Sequence, residues 1–230
     1  MNVPWLDKSS INEKASTLLK TYSLMLGHGV LPPIPVEKII EKGLGLSLSF
    51  EDLEDKLGVK DVLGAIYLRS GKICINEKLL RGGSEGRIIF TCAHEAGHWV
   101  LHRSRIDEAT RKGQISDAII CRTVNTKERI EWQADYFAAC LLMPEHDIRK
   151  AFDTVCCEDV LVLENIRGCI GSSGLYIEPC VMNWHFIADA VREAGGFSNV
   201  SKHAMIIRMQ ELGMLVNMTG TPVGWNNPDR

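Results

Sequence analysis

Apolar positions recur at helical spacing from Ser10 to about Met25, where Ala15, Leu18, Leu19, Tyr22 and Leu26 share one side. Pro32-Pro33-Ile34-Pro35 then blocks helix and forces an extended link. A short helix is expected over Val36 to Glu41, stopped by Gly43-Leu44-Gly45. At Leu46-Ser47-Leu48-Ser49-Phe50 the period becomes two, which predicts a half-buried strand. Residues 64–68 and 72–76 read as two short strands joined by a tight turn at Arg69-Ser70-Gly71. The strongest helical patterns run from Arg87 to His102 and from Arg129 to Met143, and Pro144 closes the second. A cysteine-bearing stretch and a glycine-rich loop, Gly168 to Gly174, follow. The chain then offers a helix around Trp184 to Glu193 and a last one that starts at Ser201, a good N-cap, and ends before Gly213. The expected architecture is α+β, with a small antiparallel sheet, two central helices and a mostly helical C-terminal third. Residues 1–148 form the expected first domain. Residues 149–230 form a helical region of helix-turn-helix-like spacing, expected to pack on it.

Composition narrows the class. Of 230 residues, 45% are apolar and 24% charged, as in a globular protein rather than a disordered one. A net charge of −3 gives no overall attraction to nucleic acid or anionic membrane. From Arg149 to Arg230 there are seven Lys/Arg against nine Asp/Glu, a net of −2, so the final helices lack the basic face that phosphate binding needs. No apolar run is long enough to cross a bilayer, and the first eight residues lack a signal peptide's basic start and apolar stretch. A cytoplasmic protein is expected, with its eight cysteines as thiols. Cys74, Cys92, Cys121 and Cys140 lie among apolar neighbours and read as core residues. Cys156, Cys157, Cys169 and Cys180 form no Cys-x-x-Cys pair of the kind a structural zinc site uses.

The chemistry concentrates in the two strong helices. His94-Glu95-Ala96-Gly97-His98 places two imidazoles one turn apart, where both reach one cation. Zinc suits two neutral ring nitrogens and leaves room for a carboxylate and a water. Glu95 is then suited to take a proton from that water rather than to bind metal. Ala96 and Gly97 are small enough for another element to approach closely. The second helix supplies a candidate third ligand, Glu131, at the head of a stripe continued by Asp135, Ala138, Ala139 and Leu142. Asp135, one turn on, is placed to accept the second ring N–H of a ligating histidine. His102 is a rival third ligand, but a straight helix puts it ~12 Å along the axis from His94. It is better suited to the cleft or to supporting a ligand.

Pro32-Pro33-Ile34-Pro35-Val36, the strand ending Ile75-Asn76, the run Phe90 to His102 and the run Glu131 to Pro144 together resemble the ImmA/IrrE metallopeptidases. The likeness covers most of residues 10–148 and continues weakly at Phe197 to Ser201 and Arg208 to Gly213. It implies a zincin fold of the gluzincin type over residues 1–148, with Zn2+ held by His94, His98 and Glu131 and Glu95 as general base. It also implies an antirepressor role, in which a helix-turn-helix repressor is the protein substrate. A donor for the oxyanion is open among Tyr136, His146 and His102. The strand at Lys72 to Asn76 could pair with an extended substrate or be a plain sheet edge. The rival function is a non-catalytic, zinc-stabilised regulator that binds a repressor without cutting it. Glu95 argues against that rival, because a structural site needs no base beside the metal.

Overall fold

The computed structural model describes residues 4–67, 69–82, 85–111, 118–122, 129–163 and 181–218. Two compact units divide the chain, Met1–Leu142 and Met143–Arg230. The division falls just before Pro144 and puts the next helix in the second unit, whereas the sequence suggests a first domain ending at 148.

In the first unit, α1 (Lys8–Leu26) starts at Asp7, whose Oδ1 accepts from Ser10 N at 2.7 Å, and stops at Gly27 in the left-handed conformation. Ile11, Ala15, Leu18 and Tyr22 form its buried face, while Leu26, expected on that face, lies exposed in the last turn. After the proline link, α2 (Val36–Lys38) widens into a π-helical turn, Ile39–Gly43. The strands β1 (Ser47–Glu51), β2 (Val62–Tyr67), β3 (Lys72–Asn76) and β4 (Ala118–Arg122) make one sheet in the order β1-β3-β2-β4. Short helices α3 (Leu53–Leu57) and α4 (Lys78–Gly82) interrupt the strands. The long α5 (Glu85–Arg111) packs on α6 (Arg129–Leu142), and α1 packs on α6 as well.

The α+β class holds, but the sheet is mixed rather than antiparallel. Between β1 and β2 the chain runs through α3 and skips one position, and the β2–β3 hairpin returns β3 into the gap, parallel to β1. β3 is therefore an interior strand with both edges paired, so it cannot add a substrate strand; among the described residues the edges are β1 and β4. β4 is unassigned in the sequence, because Ala118-Ile119-Ile120-Cys121 is an apolar run without a clear period. Its ladder with β2 shifts register between Val62 and Gly64, the irregularity that re-aims a strand beside a site. Asn76 ends β3 and its Nδ2 donates to Val62 O at 2.7 Å, tying that same stretch of β2 in place.

In the second unit, α7 (Glu145–Val155) buries Ile148, Ala151 and Phe152 at helical spacing. The helix expected around Trp184 is α8 (Val181–Gly195), and α9 (Lys202–Glu211) begins at Ser201, whose Oγ accepts from Ala204 N at 3.1 Å. Phe197 is buried between these helices, where a Cβ on Gly195 would collide with its ring and with Ala151. Arg208 is buried too, its Nε donating to Met143 O at 3.3 Å. A small parallel pair, β5 (Leu161–Leu163) and β6 (Leu215–Asn217), adds strand to a region expected to be helical. The glycine-rich loop, Cys169 and Cys180 lie outside the described residues, as does the side chain of Cys121. Cys74, Cys92 and Cys140 are buried thiols, Cys156 is half-buried and Cys157 exposed.

Candidate metal centre

α5 carries His94 and His98 on the face turned to α6, and both rings are buried. Their Nε2 atoms stand 3.0 Å apart. Glu131, in the first turn of α6, brings Oε2 to 3.2 Å from His94 Nε2 and Oε1 to 3.6 Å from His98 Nε2. The three ligand atoms lie within 4.8 Å of one another. That convergence depends on Gly97, because a Cβ there would meet Phe137 Cδ1 at 3.1 Å and the Cα and O of Ala134 at 3.2 Å. The smallness expected of Gly97 is thus what lets α6 close on α5, with Ala134 as the contact residue.

Each ring is held on its far side. His94 Nδ1 is 2.9 Å from Asp135 Oδ1, and since a carboxylate only accepts, the ring proton sits there and the Nε2 lone pair faces Glu131 and His98. His98 Nδ1 is 3.2 Å from His102 Nδ1, and His102 Nε2 is 2.9 Å from Gln133 Oε1. Two ring nitrogens and a carboxylate, with ring protons directed outward, form the donor set of a zinc site that keeps one position for water. The residues present therefore fit zinc.

Burial sets the electrostatics. It pushes the His98 ring below its usual value, and pushes His102 down to about 4, with His98 beside it adding to the fall. Both imidazoles are neutral at neutral pH, as ligands and their supports must be. For Glu131 burial acts in the opposite direction, but the His94 and His98 rings beside it outweigh it and hold the carboxyl well below the usual range. Glu95 is fully buried, and among the described residues neither of its carboxyl oxygens has a hydrogen-bond partner. Burial raises it to about 8, against the pull of His94 and with a small push from Glu131. A dication at the neighbouring cluster lowers such a carboxyl again.

The space for that carboxylate is supplied by β2. A Cβ on Gly64 would lie 2.6 Å from Glu95 Oε1 and 3.1 Å from its Cδ. Gly64, Asn76 and Gln133 are the residues of this centre that sequence reasoning missed. A glycine inside a strand pattern is a signal of close approach, but neither polar residue carries a signal of its own. Of the three expected oxyanion candidates, His102 has both ring nitrogens engaged. Tyr136 is stacked on Trp132 at 5.7 Å, and His146 is exposed in the first turn of α7, in the second unit.

Residues 43–160 match the IrrE N-terminal-like domain, a peptidase family. The chain belongs to this family. With the His94–His98–Glu131 cluster in place, membership makes it a zinc metallo-endopeptidase of the zincin type. No curated protein gives a significant match. Among the described residues, no helix is long and apolar enough to cross a membrane.

Proposed function

We propose that Glu95 is the general base of this endopeptidase and that its substrate is a cytoplasmic helix-turn-helix repressor, whose cleavage relieves repression. The observation that carries the catalytic part is the buried, unpartnered carboxylate of Glu95 beside the ligand cluster. His94, His98 and Glu131 would hold the zinc, which would supply Lewis acidity toward the scissile carbonyl and the attacking water. Glu95 takes the proton of the attacking water and hands it to the departing amine nitrogen. Asp135 keeps the His94 ring in its binding orientation.

The substrate part rests on the resemblance of the two helical motifs to antirepressor peptidases. The acidic balance of residues 149–230 supports protein rather than DNA contact there. The test is cleavage of a purified helix-turn-helix repressor encoded beside the gene, by wild type and by Glu95→Gln. Wild type should cut at a defined bond. Glu95→Gln should keep its zinc and lose about 10²-fold or more in rate, because the amide cannot accept the proton. A wild-type rate in that variant removes Glu95 from the base role. An intact repressor whose repression is nonetheless relieved by both forms makes the protein a zinc-stabilised regulator.

A further inference from the structure

We propose that Gln133 and His102, anchored on the backbone carbonyl of Pro4, lock His98 in the tautomer that presents its Nε2 lone pair to the metal. The proposal rests on the zinc site above and adds the device that prepares its second histidine.

The chain of hydrogen bonds begins at a group that can only accept. Gln133 Nε2 lies 2.9 Å from Pro4 O, and a carbonyl oxygen there requires an N–H opposite it. The amide orientation of Gln133 is thereby decided, and its Oε1 faces His102 Nε2 at 2.9 Å. An amide oxygen also only accepts, so His102 carries its proton on Nε2. A neutral imidazole has one N–H, which leaves His102 Nδ1 bare. That atom lies 3.2 Å from His98 Nδ1, so His98 donates from Nδ1 and its remaining nitrogen is the unprotonated Nε2 that faces His94 and Glu131. The steps as far as His102 have one solution each; at His98 the competing form carries its proton on Nε2, 3.0 Å from His94 Nε2, and leaves two bare Nδ1 atoms facing each other at 3.2 Å. Gln133 and His98 are fully buried and His102 nearly so, which keeps water from substituting for any member.

The two ligating histidines are thus prepared by different means. His94 relies on one carboxylate, Asp135, whereas His98 relies on a neutral relay three groups long. The far end of the relay lies outside the matched residues 43–160. The segment that carries it is fixed on α6 by other contacts: Trp5 stacks on Trp132 at 5.1 Å, and Lys8 Nζ lies 5.2 Å above the Tyr136 ring. An imidazole without a partner on Nδ1 exchanges between tautomers, and the form protonated on Nε2 cannot bind metal through that nitrogen. Gln133 is therefore a positioning residue that acts through His102.

The experiment is nitrogen-15 NMR of the histidine side chains together with zinc affinity by competition against a chromophoric chelator. In wild type, His102 should be protonated on Nε2 and bare on Nδ1, with a scalar coupling across the hydrogen bond between the two Nδ1 atoms. Gln133→Leu, which keeps volume and removes both amide groups, should lose that coupling and raise the zinc dissociation constant about 10- to 100-fold. A proton on His102 Nδ1 in wild type overturns the proposal, as does a Gln133→Leu variant with unchanged coupling and affinity. If that variant does not fold, the wild-type proton positions still decide. If wild type takes up no zinc, the metal reading fails separately, and the same coupling in the metal-free protein decides the relay.

Discussion

A carboxyl group with no water access and no hydrogen-bond partner among the described residues is a costly thing to fold around, and Glu95 is held in that state by its neighbours' shapes. Gly64 contributes most directly, since any side chain there occupies the place of Glu95 Oε1. Gly64→Ala should bind zinc as wild type does yet lose about 10²-fold in kcat, the usual effect of misplacing a reacting group by an ångström. Steady-state kinetics beside metal analysis would check it, and an unchanged kcat would show that Glu95 has room to spare. His102 gives a second, pH-dependent outcome. Its folded value of about 4 lies below the unfolded 6.5, so folding favours the neutral ring. Its contribution is complete above pH 6.5 and is lost as pH falls to 4, a total of roughly 3 kcal/mol. Urea unfolding of the metal-free protein at pH 7, 5.5 and 4 should show this decline, and His102→Phe should flatten it. An equal decline in both would assign the acid sensitivity to other groups.

The helix pair α5–α6 was the most legible part of the chain, because its signals are local: two histidines four apart, and acidic then small residues along one face. Their meeting was also foreseeable from the smallness of Gly97. The identity of its partner was not, since Ala134 and Phe137 lie beside the expected stripe rather than on it. The sheet was harder. A period of two marks β1, β2 and β3 as strands but carries no pairing order, and the parallel insertion of β3 follows from the connection through α3. The relay to Pro4 joins residues 129 apart in sequence, beyond the reach of any periodicity. The tight α5–α6 contact has a measurable consequence. In Gly97→Ala the new Cβ faces helix backbone at 3.2 Å, which cannot rotate away as a side chain would. The variant should be about 1–3 kcal/mol less stable, the range for overpacking. Because Glu131 rides on α6, it should also bind zinc more weakly. Unfolding curves with and without zinc would separate the two effects, and wild-type stability would mean that α6 shifts freely.

Both helices of the centre, and so all three candidate ligand residues, belong to the unit Met1–Leu142. Zinc binds a geometry that exists only when α5 and α6 are packed, so its binding energy becomes stability of that unit. At free zinc 100-fold above the dissociation constant the gain is about 2.7 kcal/mol, provided the unfolded chain binds none. Histidine and cysteine side chains in the unfolded chain bind some zinc, which makes that figure an upper bound. Hydrogen exchange reads the effect element by element. Amides of α5 and α6 should gain protection on zinc addition, by the same free energy as the shift in global unfolding. Glu131→Ala, which removes a ligand without emptying the core, should abolish the gain while leaving the metal-free protein folded. The amides of α9, in the second unit, supply the comparison: a gain equal to that of α5 means that the chain unfolds as one cooperative block, and a smaller one means two. If zinc leaves α5 and α6 exchange unchanged in wild type, the His94–His98–Glu131 cluster does not hold the metal in the folded protein.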